Sequence, residues 1–147
     1  MSFAELLEDL ERLVTDPAAF ILLDFQGKGI GSTDGDLSIL QIGLPLKTYI
    51  VDAITTPEDI NKLGPFLRDR KLRKVVWDGR LGYSELWHRY GIRLENVLDL
   101  QLVYLHERYD VTQRKCVPLN GKVTAIKEKK LLSLTAVENE QKSMNHL

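Results

Sequence analysis

Three apolar runs follow one another with no helical stretch between them: AFILLDF at 19–25, LSILQIGL at 37–44 and KTYIVDA at 47–53. Only Pro45 and Leu46 separate the second from the third, a tight connection that joins antiparallel strands. The segment between the first and second, residues 27–36, is polar and glycine-rich and reads as a turn. The chain is therefore predicted to begin its sheet as a three-stranded meander, with the unbroken run AFILLDF as a buried central strand.

Helical patterns flank the meander. Leu6, Leu7, Leu10, Leu13 and Val14 recur at helical spacing, so residues 2–14 form an apolar-striped helix that Thr15-Asp16-Pro17 ends. Beyond the third strand, Thr56-Pro57-Glu58-Asp59 is a helix start, with Thr56 placed to cap and Ile60, Leu63 and Leu67 on the apolar side. RKVVW is a fourth strand, with Asp78 at an N-cap position. A helix over 80–90 follows, with Leu81, Leu86 and Tyr90 inward and Gly91 as its stop. NVLDL is a fifth strand, leading into the helix LQLVYLHERY. Residues 110–130 read as an exposed loop and LLSLTAVENEQKSM as a last helix. Strand–strand–strand, then helix–strand–helix–strand–helix, predicts an α/β domain with a mixed five-stranded sheet.

The 147 residues are expected to form one domain with a substantial core, 44% hydrophobic and 28% charged. No apolar run approaches the ~20 residues that cross a bilayer, so no membrane role is expected. The acidic N-terminus lacks a signal-peptide pattern and Cys116 is the only cysteine, which together place the chain inside the cell, cytoplasmic or nuclear. The net charge of −1 conceals an acidic N-terminal third and a basic middle. Arg68, Arg70, Lys71, Arg73, Lys74 and Arg80 form a basic cluster that either tracks a phosphate backbone or is a solvated helix face.

The stretch ILLDFQGKGIG admits two chemistries. As a phosphate cradle it fails, because Gly27, Gly29 and Gly31 open into another strand rather than a helix. As a carboxylate motif it places Asp24 near the end of an apolar strand. Here the chain resembles the RNase D-like 3′–5′ exonuclease (DEDD) domains, nearest the branch called exonuclease 3′–5′ domain-containing proteins. FILLDFQG, DLSILQIGLP, TYIVDA, VVWDGRLGYSELWHRYGI, NVLDLQL and LLSLTAVE carry the resemblance, in order, from about Asp16 to Met144. It implies a ribonuclease H-like fold. It also implies two Mg²⁺ or Mn²⁺ ions held by Asp-x-Glu on the first strand and by one Asp from each of two later motifs.

This chain departs from that pattern. Asp24 matches the leading Asp, Gln26 stands where Glu belongs, and Gly82 occupies the second motif's Asp position, four residues before Leu86. The third motif is expected to be absent, the domain being shortened at its C-terminus relative to the family. Asp78 is expected to cap a helix, Glu85 to face solvent and Asp99 to be structural; His88, His106 and His146 lack metal-ligand spacing. The resemblance thus implies a degenerate, catalytically inactive nuclease domain serving as a nucleic-acid-binding or scaffolding adaptor, with no cofactor. Lys28, Arg80 and the 68–74 cluster would hold single-stranded RNA or DNA, and Trp77 or Tyr83 would stack on a base unless they are core. One alternative is a weak exonuclease using Mg or Mn; another is a protein-interaction domain, with a homodimer or a hetero-partner expected.

Overall fold

The computed structural model describes residues 2–107. The chain divides into two units, residues 1–100 and 101–147, and the first carries the sheet. The segments read as a loop at 110–130 and a last helix lie outside the described residues.

Helix α1 (Phe3–Val14) starts where the Ser2 hydroxyl accepts the Glu5 amide at 3.2 Å, and it buries Leu6 and Leu10. Strands β1 (Phe20–Lys28), β2 (Asp36–Leu44) and β3 (Lys47–Asp52) form the expected antiparallel meander. Helices α2 (Pro57–Lys62) and α3 (Gly64–Arg68) replace the single helix expected there, with Gly64-Pro65 at the break between them. Thr56 does not cap with its side chain; its hydroxyl donates to the Asp52 carbonyl at 2.9 Å. Strand β4 (Arg73–Val76), helix α4 (Arg80–Tyr90), strand β5 (Val97–Asp99) and helix α5 (Leu100–Glu107) follow.

The sheet order is β3-β2-β1-β4-β5, with β4 parallel to both β1 and β5. This is the mixed five-stranded α/β sheet expected from the sequence. Alternation along β1 decides its two faces. Ile21 and Leu23 enter one core with Leu40 and Ile42 of β2, Tyr49 and Val51 of β3, and apolar residues of α1 to α4, whereas Phe20 and Leu22 remain exposed. Asp24 and Gln26 share the alternation of Phe20 and Leu22, while Phe25 turns toward the helices and packs on the core.

Two assignments need correction, one inward and one outward. Leu81 is 56% exposed and lies against Gly31 of the β1–β2 connection, not in the core. Lys74, grouped above with phosphate-tracking cations, is fully buried on β4, where its ammonium donates to the Asp69 carbonyl. A group so enclosed cannot touch a phosphate chain in solvent. Burial pushes its pKa down to about 8. Between pH 8 and the unfolded value near 10.5 the unfolded chain therefore binds more protons, and stability rises with pH across that window. Urea unfolding should show this rise, on the order of 1–3 kcal/mol, in the wild type, and Lys74→Met should flatten it.

Candidate functional site

β1 and β4 run parallel with Leu22 opposite Val75, so Asp24, midway along β1, and Trp77, just past β4, each lie two residues beyond that pair. There a small cleft of about 130 Å³ opens, lined by Asp24, Phe25, Ile30, Trp77, Asp78 and Gly82 among others. The two family positions that the sequence singled out, at Asp24 and Gly82, do meet in one place.

The chemistry of the meeting is altered. Gln26 Nε2 donates to Asp24 Oδ2 at 2.9 Å. A carboxylate at position 26 would add a second negative ligand; the amide instead presents a donor to the first one. Gly82 is buried on the inner side of α4 with the Phe25 ring against it. A Cβ built at Gly82 would lie 2.5 Å from Phe25 Cγ and 2.8 Å from Cε2, closer than real carbon contacts. The volume that a second-motif side chain would need is filled by an aromatic ring.

Asp78 is not an N-cap. Its backbone is left-handed (φ 52°), and its carboxylate grips Arg80 in a fork, 2.7 Å to Nε and 3.2 Å to Nη2. The anchoring falls to Asp99, whose two oxygens accept the amides of Asp78 and Gly79 at 3.0 and 2.9 Å. Asp99 is structural, as expected: it ends β5 directly before α5 and also organises the start of α4. A carboxylate at these amides also complements the positive end of α4.

Glu85 overturns its expected solvent exposure. It is buried, with Oε2 accepting the Gly31 amide at 3.1 Å and Oε1 accepting the Leu37 amide at 3.3 Å. Arg89 closes the cluster, donating to the Gly35 carbonyl at 2.9 Å and pairing with both Glu85 and Asp36. Those carboxylates hold its guanidinium above its ordinary pKa. The glycine-rich stretch is thus a backbone laid onto α4, with Gly29 (φ 61°) and Gly31 (φ 79°) in left-handed conformations. β1 itself continues through Gly27 and Lys28, two residues further than the turn was placed. Glu85 gave no motif signal; a mid-helix acid reads as surface unless its partners, 48 and 54 residues away, are known.

The basic residues separate into two groups. Lys28 ends β1 and Arg80 opens α4 after β4; neither lines the cleft, and Arg80 lines a neighbouring recess with Val97 and Asp99. Arg73 pairs with Phe20 at the opposite end of β1, about 25 Å from Lys28 at strand rise. Arg68, Arg70 and Lys71 precede Arg73 and are exposed, with Arg70 3.7 Å from Glu95. Tyr83 is 39% exposed, and Trp77 is half-buried in the cleft wall.

Two adjacent divalent cations do not fit these donors. Among the described residues no group of three or more His, Cys, Asp or Glu side chains could hold a metal ion. At the family's positions Asp24 is engaged by an amide and position 82 has no side chain.

No protein-family model matches the sequence, and no curated protein does. Solved structures match it well. RNase D of Trypanosoma brucei in complex with RNA U12 aligns at a TM-score of 0.68 and 26% identity, over 90% of this chain and 48% of that one. RNase D of Escherichia coli, an exoribonuclease involved in structured RNA processing, aligns at 0.66 and 17% identity, over 90% of this chain and 32% of that one. The EXD2 exonuclease domain aligns at 0.54 and 20% identity, over 84% of this chain and 62% of that one. The chain spans about half the length of the trypanosome RNase D that it matches. Sheet order and these alignments agree: the chain has the fold of the RNase D-like 3′–5′ exonuclease domains.

Proposed function

We propose that this is a degenerate 3′–5′ exonuclease-like domain that does not hydrolyse phosphodiesters and serves as a nucleic-acid-binding adaptor. The observation that carries the reading is the Gln26–Asp24 hydrogen bond at the position of the family's paired carboxylates. Two dications ~4 Å apart repel by about 17 kcal/mol even at an effective dielectric constant of 20. Several carboxylates must offset that repulsion, and a single aspartate already bonded to an amide does not.

Binding is assigned to the side of the sheet where β1 ends at Lys28 and β4 gives way to Trp77 and Arg80. A single strand fits this arrangement, because a base can stack on the indole while cations follow the phosphates. The RNA in the trypanosome RNase D complex supports a nucleic-acid ligand. Arg68, Arg70, Lys71 and Arg73 form a second positive patch at the far end of the sheet.

Two measurements test the reading. An end-labelled RNA incubated with the protein and Mn²⁺ should stay intact, with identical traces for wild type and Asp24→Ala. Shortening from the 3′ end that Asp24→Ala abolishes would establish the weak exonuclease instead. Fluorescence anisotropy with a labelled single strand should show salt-dependent binding. Replacing Lys28 and Arg80 together by Ala should lower the log–log salt slope by about 1.4, at ~0.7 per lost phosphate contact on single strands. Binding that ignores salt, or its absence at micromolar protein, defeats the nucleic-acid part.

A further inference from the structure

Helix α4 is built backwards for a surface helix. Gly82, Glu85 and Leu86 face the interior, which leaves Arg80, Ser84 and Trp87 along the opposite line, at i, i+4 and i+7, with Tyr83 beside them. An outward line of this kind is ordinarily polar. Here Trp87 is 48% and Tyr83 39% exposed. Exposed Trp and Tyr beside Arg match the residues that dominate binding energy at protein interfaces. Next to this line lies a recess of about 470 Å³, lined by Val76, Arg80, Tyr83, Leu94, Val97 and Asp99 among others. A cavity of ~150 Å³ accepts a benzene, so this one has room for an indole.

We propose that α4 forms a twofold interface between two copies of this chain, with Trp87 of each copy seated in the other's recess. A second copy fits this surface better than a foreign protein. A foreign partner needs only a knob or only a socket; a twofold contact needs both on one surface, so that each copy supplies what the other lacks. Trp87 and the Arg80 end of the recess are seven residues apart on one helix, about 10.5 Å along its axis. Antiparallel packing of α4 on its symmetry mate, about a point between Tyr83 and Ser84, places the partner's Trp87 over Arg80 and the reverse. The small Ser84 near the axis lets the helices approach within the usual 8–10 Å. Arg80 then meets an indole face, a favourable cation–π geometry. The interface is independent of how the cleft at Asp24 behaves, because none of its contacts involves Asp24, Gln26 or Phe25.

Sedimentation equilibrium from micromolar to near-millimolar protein tests this. The wild type should self-associate, and Trp87→Ala, which removes the knob, should weaken association at least ~10-fold. Val97→Lys, which blocks the socket, should do the same. Both should keep the wild-type circular dichroism and urea midpoint, since both positions are exposed. Mixing the two variants should restore part of the association, because the mixed pair retains one intact knob and socket. A wild type monomeric throughout overturns the proposal, as does a dimer indifferent to both substitutions or a mixture no better associated than its parts. Loss of oligonucleotide binding by Trp87→Ala in a monomeric protein would also overturn it and give the stripe to nucleic acid. The nuclease assay reads the other proposal separately, and so does a salt titration of Lys28→Ala alone, because Arg80 belongs to both surfaces and Lys28 only to the first.

Discussion

Gly82→Asp, the substitution that would restore the family's second motif, is expected to cost about 2–4 kcal/mol of stability and to bring no metal with it. The cause is steric. The new Cβ would lie 2.5 Å from Phe25 Cγ, so the ring must leave its place between β1 and α4. Forced overpacking in a filled interior costs typically 1–3 kcal/mol. The aspartate adds the burden of a carboxylate whose nearest neighbour is an aromatic ring. Gly82→Ala separates the two effects: its intrinsic helix preference favours the change by about 1 kcal/mol, so any net loss reports the collision. Phe25→Ala in the same molecule should relieve the collision, and the double variant should be more stable than the sum of the single effects by ~1–3 kcal/mol. Urea denaturation of the four proteins measures this. Strict additivity would mean that Phe25 and Gly82 are independent, and the filled site would lose its explanation.

The coupling also indicates why restoring Gln26→Glu and Gly82→Asp together is a poor route to a nuclease. Three features coincide at the cleft: Gln26 donates to Asp24, position 82 has no side chain, and the Phe25 ring occupies the space beside it. A glycine inside a helix lowers stability by up to about 1 kcal/mol relative to alanine. The ring packed on it, half-buried against the core, returns apolar contact of comparable worth. The Gln26 bond to Asp24 and the ring against Gly82 thus act at one cleft, and a substitution at either position disturbs the packing of both.

Much of this was legible along the chain because it depends on local pattern. The three apolar runs, the connection at Pro45-Leu46 and the helical spacing of α1 each report a period that neighbouring residues alone determine. Gly91 as the stop of α4 was equally readable, and it sits in the left-handed conformation with its amide bonded to the Leu86 and Trp87 carbonyls. What escaped the sequence depends on residues brought together from afar. Lys74 looked like one more cation of a basic run until pairing with Ile21 of β1 turned it inward. Leu81 looked inward because an apolar residue near a helix start is usually core; the glycine loop, a partner some fifty residues upstream, took that place. At the cleft, the replacement of Glu by Gln was visible in the sequence, but the direction of the resulting hydrogen bond was not. Nor could spacing reveal that Phe25 fills the space at Gly82, since adjacent strand residues point to opposite faces and only the fold says which face α4 covers.

Glu85→Ala is expected to be the most damaging single change, costing about 3–5 kcal/mol. The carboxylate is buried and accepts from two backbone amides, Gly31 and Leu37, and from the Arg89 guanidinium. Removing it leaves two amides without their acceptor, each worth roughly 1–3 kcal/mol when buried, and deprives a guanidinium of its innermost partner. Glu85→Gln should cost less, about 1–2 kcal/mol, because one oxygen still accepts while the new NH₂ faces an amide donor. The pattern of damage distinguishes a clamp from a mere core residue. Hydrogen exchange at Gly31 and Leu37 should accelerate first in Glu85→Gln, while amides of the β2–β3 pair, which Glu85 does not touch, keep their protection. Uniform loss of protection over the whole sheet at the same destabilisation would show that Glu85 supports the fold at large. Selective loss at the loop means that this one acid holds the β1–β2 connection onto α4, and with it the end of β1 at Lys28.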